Sequence, residues 1–217
     1  MRRYRWDVSV SIDELVVADE PGAWAALGFA LEDDTAVVGT VRVRLAGAAA
    51  GRGLAGWSLR GAGPAELDGL AATRSEAPPP ATAAAHPNGV TDLDHVVAIS
   101  PDLERTVAAL RAAGLDLRRI REEPTPAGAP RQAFFRLGPT ILEVVQEPAE
   151  ATAKAGGDRP AFFWGLALTA PDLDATVATL GDRVSEARDA VQPGRRIATL
   201  RRAAGLGLPV ALITPPA

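Results

Sequence analysis

Two titratable side chains stand inside apolar stretches of the sequence, where charged groups are uncommon. His95 lies in Leu-Asp-His-Val-Val (93–97), and Glu143 lies in Ile-Leu-Glu-Val-Val (141–145). A neutral imidazole and a carboxylate can each bind a divalent metal. A carboxylate in an apolar setting also has a raised pKa, which suits it to remove a proton next to a carbonyl group with an imidazole as partner. The alternative without chemistry is a hydrogen-bonded core histidine and a glutamate that forms half of a His–Glu pair.

The elements around these residues form one strand-helix-strand unit. A short apolar strand ends at Ser100, which can cap a helix whose first turn contains Pro101. Leu103, Val107 and Leu110 then recur at helical spacing, and a glycine closes the helix. Three further strands follow, the last of which carries the glutamate. The pattern predicts a βαβββ module.

The chain repeats the opening of this module about 70 residues later. The segment DHVVAISPDLERTVAAL is answered by WGLALTAPDLDATVATL (164–180), with the shared core PDL…TVA…L. A unit written twice usually packs against its own copy. We therefore expect an α+β domain over residues 91–217, built from paired modules at 91–147 and 161–217.

The N-terminal part predicts a third, diverged module over residues 1–62. Residues 6–17 alternate like a strand, Pro21 begins a short helical stretch, and residues 36–47 and 54–59 again read as strands. The Ala- and Pro-rich segment 63–90 is predicted to be a linker between domains. The alternative for this segment is an ordered path along the surface.

Composition excludes several classes of function. The chain has 217 residues and no cysteine, which rules out disulfides, thiol catalysis and thiolate metal sites. The net charge of −4, the scattered basic residues and the low aromatic content give no sign of a nucleic-acid groove. No apolar run approaches the roughly 18 residues of a membrane span, and the start does not read as a signal peptide. A cytoplasmic protein without a membrane or nucleic-acid partner is expected.

With its LDHVV, PDL and ILEVV motifs and its duplicated half, the region 91–215 resembles the vicinal oxygen chelate superfamily, the glyoxalase and bleomycin-resistance fold. The resemblance implies a cupped, half-open barrel that holds a divalent metal through a His or Gln from the first strand and a Glu from the last strand of each module. By this resemblance, His95 and Glu143 take the first pair of metal-ligand positions. Gly165 and Ala211 stand at the second pair, where neither side chain can bind a metal.

The incomplete ligand set leaves alternatives open. Glu14 precedes an apolar strand much as His95 does, so it could be a third metal ligand, or it could simply be exposed on its strand. Without a metal, His95 and Glu143 could act directly as catalytic acid and base. His86, in the Pro-rich segment, is expected to be solvated.

The cup is expected to bind a small molecule in either case. Aromatic and arginine side chains suit a planar ligand that is anionic or bears a carbonyl group. Trp164 is the main candidate, because it precedes Gly165, whose small size would leave space for a ligand or for the indole. The other candidates are Phe134, Phe135, Arg131, Arg136 and Arg196. The alternative is that the aromatic residues belong to the core and the arginines to the surface.

Two functions remain open from the sequence. One is a binding protein for a small aromatic or carbonyl-bearing molecule, and the other is a lyase, isomerase or dioxygenase with or without a divalent metal. Because an odd module would leave a sheet unpaired, we also expect that the first module packs against its twin in a homodimer or covers the cup.

Overall fold

The structure is a computed structural model that describes residues 10–62, 67–70, 72–81, 84–125 and 128–216. The part of the predicted first strand before Val10 lies outside these residues. No helix in the described ranges has the length and hydropathy needed to cross a membrane. The elements are β1 Ser11–Val17, α1 Pro21–Ala26, β2 Thr35–Val38, β3 Val41–Leu45, β4 Leu54–Arg60, β5 Ala72–Ser75, β6 Asp92–Ser100, α2 Leu103–Ala112, β7 Asp116–Arg121, β8 Gln132–Leu137, β9 Thr140–Gln146, α3 Ala149–Lys154, β10 Phe162–Thr169, α4 Leu173–Leu180, β11 Arg188–Asp189, β12 Arg196–Thr199 and β13 Val210–Ile213.

The two predicted C-terminal modules form one open eight-stranded sheet. Its strand order is β11-β12-β13-β10-β6-β9-β8-β7, so the modules meet along the antiparallel pair β6 and β10. In each module the first strand lies parallel to the last, because β6 pairs with β9 and β10 pairs with β13. The predicted α+β class with paired βαβββ modules is confirmed.

The N-terminal part forms a separate five-stranded sheet with the order β2-β3-β1-β4-β5. Residues 36–47, which alternate like one strand, fold into a hairpin because Gly39 adopts a left-handed conformation with φ of 61°. The predicted linker also contributes to the sheet, since Ala72–Ser75 pairs with β4. Strand β4 lies antiparallel to β1, as β10 does to β6. Residues 10–62 thus follow the predicted βαβββ order of elements, and β5 extends the sheet beyond β4.

The helices of the two C-terminal modules begin in the same way. Asp102 and Asp172 are the N-caps of α2 and α4, and each carboxylate accepts a hydrogen bond of 3.0 Å from the backbone N–H three residues later. Ser100, expected as the cap of α2, instead bonds Thr106 through its hydroxyl and accepts from the N–H of Asp102. Pro101 and Pro171 precede these caps, which places the helix starts two residues later than the prolines suggest.

The two sheets pack with their helix-bearing sides facing each other. Trp57 of β4 lies edge-on against Phe163 of β10, with ring centroids 5.1 Å apart. Phe163 is paired with Ala98, which is fully buried on the side of the sheet that α2 covers. Asp68 also forms an ion pair with Arg105 of α2. The apolar side chains of both sheets therefore share one core.

The segment before β6 follows an ordered path where the structure describes it. His86 is buried: its Nδ1 accepts from the N–H of Ala30 at 3.0 Å, and its Nε2 lies 3.1 Å from the carbonyl of Val37, to which it donates. Burial lowers the pKa of His86. The expectation that this histidine is solvated is wrong, because the segment packs on α1 and β2 instead of hanging free.

Candidate functional site

His95 and Glu143 come together on the face of the eight-stranded sheet that lies opposite α2. They stand on the parallel neighbours β6 and β9, where Val97 is paired with Glu143. Val96 and Ala98 are fully buried on the helix side, so the alternation of the strand turns His95 and Val97 the other way. The Nε2 atom of His95 lies 3.6 Å from Oε2 of Glu143.

Asp94 and Arg195 hold the imidazole from its other side. His95 Nδ1 lies 2.8 Å from Asp94 Oδ1, and Arg195 forms an ion pair with the same carboxylate. Arg195 also donates from Nε to the carbonyl of Thr214 at 2.6 Å, which fixes its position. Burial by itself would raise the pKa of Asp94, but hydrogen bonds from His95 and Arg195 hold this pKa below its ordinary value. Asp94 is therefore a carboxylate, and Nδ1 is the nitrogen of His95 that donates.

Glu143 is in the opposite electrostatic situation. Burial raises the pKa of Glu143, and the nearby His95 and a hydrogen bond from the amide of Gln132 only partly offset this effect. Gln132 lies two strands from His95 on β8, next to β9. Because Nδ1 of His95 is turned toward Asp94, its Nε2 faces the Glu143 carboxyl at 3.6 Å, just beyond hydrogen-bond distance.

This chain of groups can move a proton at the face of the sheet. A carboxyl group with a raised pKa titrates closer to neutral pH, which suits a general base or acid. Asp94 fixes the ring orientation and tautomer of His95, as a carboxylate does for a catalytic imidazole. Arg121 adds a nearby positive charge that favours the ionised form of Glu143.

The donor set fits a tightly held metal ion poorly. His95 and Glu143 offer two donors, whereas protein sites for divalent metals commonly use three or more. Within the described ranges, no group of three or more His, Asp or Glu side chains is placed to hold a metal ion. Glu14, the candidate third ligand, lies on β1 of the other sheet and pairs with Arg44 at 3.1 Å. Glu14 does not reach His95, because its side chain points away from the core that the two sheets share.

Gly165 and Ala211 occupy the second pair of positions, as the repeat indicates. Ala167 is paired with both His95 and Ala211, and Val97 is paired with Gly165, so the two modules are related by a local twofold. The space expected beside Gly165 does not exist, because a Cβ there would lie 2.5 Å from the carbonyl oxygen of Pro209. The small residue allows the backbone at the start of β13 to approach.

Three of the predicted ligand-binding residues lie on or beside this face. Phe134 is paired with Glu143 and lies under Arg119, whose guanidinium carbon is 4.8 Å from the ring centroid. Arg136 lies two residues after Phe134 on β8, on the same side of the strand, and is exposed. Trp164 is 49% exposed at an irregularity in the pairing of β10 with β6.

The other three lie elsewhere. Phe135 is fully buried in the core on the helix side of the sheet. Arg131 forms ion pairs with Glu104 and Glu122, and Arg196 pairs with Asp174 of α4. These two arginines are thus bound to acidic groups outside the His95 and Glu143 face.

Sequence reasoning missed Asp94, Gln132 and Arg195. Asp94 directly precedes His95, and this adjacency was a sequence signal for a carboxylate–imidazole pair. It sits at a bulge in β6, where the pairing with β10 shifts register, so simple alternation would place it on the wrong side. Arg195 comes from a turn about 100 residues away, and no local signal connects it to Asp94.

Comparison with known proteins gives a family match. A family model described as the Glyoxalase/Bleomycin resistance protein/Dioxygenase superfamily matches residues 92–204. A search of curated proteins found no match.

Solved structures of similar fold include methylmalonyl-CoA epimerase from Mycobacterium tuberculosis, at 22% identity over 59% of this chain and 91% of that chain, with a TM-score of 0.48. A variant of Streptomyces coelicolor methylmalonyl-CoA epimerase in complex with 2-nitronate-propionyl-CoA is 25% identical over 59% of this chain and 99% of that chain, with a TM-score of 0.47. A hypothetical protein from Bacillus halodurans is 14% identical over 58% of this chain and 95% of that chain, with a TM-score of 0.46.

Proposed function

The chain belongs to the glyoxalase/bleomycin resistance protein/dioxygenase superfamily, and from this premise we propose that the face carrying His95 and Glu143 binds a small carbonyl-bearing organic molecule. The observation that carries the proposal is the largely buried series of Arg195, Asp94, His95, Glu143 and Gln132, in which hydrogen bonds and an ion pair join all neighbours except His95 and Glu143, which lie 3.6 Å apart. Buried polar groups cost free energy unless they are paired, so such a series in an apolar sheet favours a functional role.

The ligand class follows from the chemistry around this series. Phe134 and the exposed Trp164 offer aromatic surface, and Arg119, Arg121 and Arg136 offer positive charge on or next to the same face. Aromatic and guanidinium groups together favour a planar or anionic ligand with a carbonyl oxygen.

Proton transfer at the carbon next to the carbonyl is a second function that one observation favours. Glu143 has a raised pKa and faces His95, while Asp94 holds the imidazole in one tautomer. In this reaction the C–H bond breaks, its proton passes to Glu143, and the electron pair moves into an enolate. Arg121 would stabilise the developing negative charge.

Many members of this superfamily use a divalent metal, which supplies a Lewis acid for the carbonyl or enolate oxygen when bound. In this chain His95 and Glu143 would be its ligands, and the two-donor set argues for weak binding.

The test is exchange of carbon-bound protons with solvent deuterium. The protein would be incubated in D2O with a panel of small 2-oxo acids and aryl ketones, and NMR would follow loss of the signal next to the carbonyl. Proton transfer predicts protein-dependent exchange that Glu143→Gln lowers by about 100-fold or more and His95→Gln also lowers. Glu150→Gln, at an exposed glutamate on α3, is the matched control and leaves exchange unchanged.

Repeating the reaction with excess chelator separates the possibilities. Exchange that persists supports direct action of His95 and Glu143, and exchange that needs added divalent ions supports the metal-dependent alternative. If none of the compounds shifts the amide signals near His95 and none exchanges, the proposed binding function is wrong.

A further inference from the structure

The five-stranded sheet repeats the pairing register of the eight-stranded sheet. In β1 and β4, Glu14 is paired with Ser58 and Val16 with Gly56. In β6 and β10, His95 is paired with Ala167 and Val97 with Gly165. In both pairs of strands, a glycine therefore lies two residues before the residue that is paired with Glu14 or His95. Glu14 stands at the position of His95.

The parallel neighbours complete the correspondence. Val16 is paired with Arg44 on β3, just as Val97 is paired with Glu143 on β9. At the next strand of the sheet, Ser58 is paired with Thr73 of β5, as Ala167 is with Ala211 of β13. Arg44 therefore stands at the position of Glu143.

A cavity of about 580 Å³ lies over this second set of positions. Its lining includes Glu14, Val16, Arg44, Ser58, Leu70 and Thr73. Pockets of this volume are typical for small organic ligands. The neighbouring residue Trp57 turns its ring into the shared core, so Glu14 and Ser58 face the opposite way, toward solvent. The cavity opens away from the face that carries His95.

The charges at the cavity are paired but accessible. Arg44 Nε donates to Glu14 at 3.1 Å, and the side chains are 44% and 27% exposed. Beside them, Asp13 is shared by Arg42 and Arg60. Asp13, Arg42 and Arg60 do not line the cavity, but together they place one net positive charge beside it, which favours an anionic ligand.

We propose that this cavity binds a small organic acid with a hydroxyl or ammonium group next to its carboxylate. The carboxylate would bind Arg44, which can offer a planar pair of N–H donors. The neighbouring hydroxyl or ammonium would donate to Glu14, so a single ligand replaces the Glu14–Arg44 pair. Ser58 and Thr73 add hydroxyl groups, and Val16 and Leu70 give an apolar wall for the rest of the molecule. This site is separate from the one carrying His95 and Glu143.

Three acids of the same size test the proposal by calorimetry on the full chain: 3-phenylpropanoate, 3-phenyllactate and phenylalanine. A charge-assisted hydrogen bond to Glu14 predicts that phenyllactate or phenylalanine binds at least tenfold more tightly than phenylpropanoate. Arg44→Gln should weaken that binding at least tenfold. Arg74→Gln is the matched control, because Arg74 is exposed on β5, is absent from the cavity lining and pairs with Glu76.

NMR locates the binding and covers the case in which Arg44→Gln does not fold. Binding in the cavity shifts the amide signals of Ser58 and Thr73, and Glu14→Gln removes the preference for acids with the extra donor. Equal affinity for the three acids, or shifts confined to the strands around His95, would overturn the proposal. Absence of binding by all three at millimolar concentration would do so as well.

Discussion

At the scale of single residues, burial and the hydrogen-bond partners of each polar side chain set its pKa on the sheet face that carries His95 and Glu143. Asp94 faces Arg195 and His95, and its pKa is held low, whereas Glu143 has only an amide donor, the imidazole and a more distant arginine. Two carboxylates, 2.8 Å and 3.6 Å from the two nitrogens of the same imidazole, therefore have pKa values shifted in opposite directions. That separation lets one group orient and the other exchange a proton.

The raised pKa of Glu143 makes a prediction about stability. The folded protein disfavours the charged carboxylate, so stability falls as pH rises from the ordinary value of 4.5 through the raised pKa. Glu143→Gln removes this loss. We expect the variant to gain stability relative to the parent across that window, as measured by urea unfolding at a series of pH values. Glu150→Gln controls for a change at an exposed glutamate, and a pH-independent difference for Glu143→Gln would contradict the assignment.

His86 leads to the opposite pH dependence. Its pKa is lowered by burial, so the stability that it provides is present above the ordinary value of 6.5 and is lost as pH falls through the lowered pKa. His86→Ala also removes two hydrogen bonds to backbone groups, and we expect it to cost about 2 to 4 kcal/mol at pH 8. Urea unfolding should show a smaller cost at pH 5. A cost that grows on acidification would show that the ring is charged in the folded protein.

At the scale of elements, local sequence signals predict the central strands and helices but not the contacts across the sheet. The repeat PDL…TVA…L predicts α2 and α4, and the apolar runs predict β6 and β9. The sequence pattern did not predict the turn at Gly39, which interrupts an alternating run, or β5, which lies in an Ala- and Pro-rich segment. Both depend on pairing with distant strands, which the local pattern does not encode.

Gly165 tests the explanation given for the small residue in β10. A methyl group there would lie 2.5 Å from the carbonyl oxygen of Pro209, which accepts a hydrogen bond from Leu166. We expect Gly165→Ala to destabilise the fold by about 1 to 3 kcal/mol, measured as the change in unfolding free energy. Gly22→Ala is the matched control, because its Cβ has nothing within 4 Å and α1 would gain helix propensity. Equal stability of Gly165→Ala and the parent would show that the strand can move aside.

At the scale of the whole molecule, two open sheets lie with their helix-bearing sides together and their polar faces outward. Leu15 and Trp57 of one sheet and Phe135 and Leu142 of the other belong to the same core. The N-terminal sheet pairs β1 with β4 within the chain, so this sheet needs no second copy for that pairing. The homodimer stays a prediction without that support.

The shared core predicts that both sheets unfold together. Trp57 is 2% exposed and contacts Phe163 of the other sheet, so Trp57→Ala should cost about 3 to 5 kcal/mol. Hydrogen exchange should show the loss of protection in β6 and β9 as well as in β1 and β4. Trp164→Ala, at a tryptophan that is 49% exposed, should change stability much less. Loss of protection confined to the N-terminal strands would mean that the sheets open independently.

Because the two sheets have matching registers, the N-terminal sheet could be engineered to carry the same side-chain pair as the C-terminal sheet. Glu14 and Arg44 occupy the same strand positions as His95 and Glu143, and in each partner strand a glycine lies two residues before the residue paired with Glu14 or His95. Installing a histidine and a glutamate at these two positions would transplant the pair onto a second backbone of the same geometry. Asp13 already stands at the bulge position of Asp94, so the transplanted pair would report what Arg195 and Gln132 contribute.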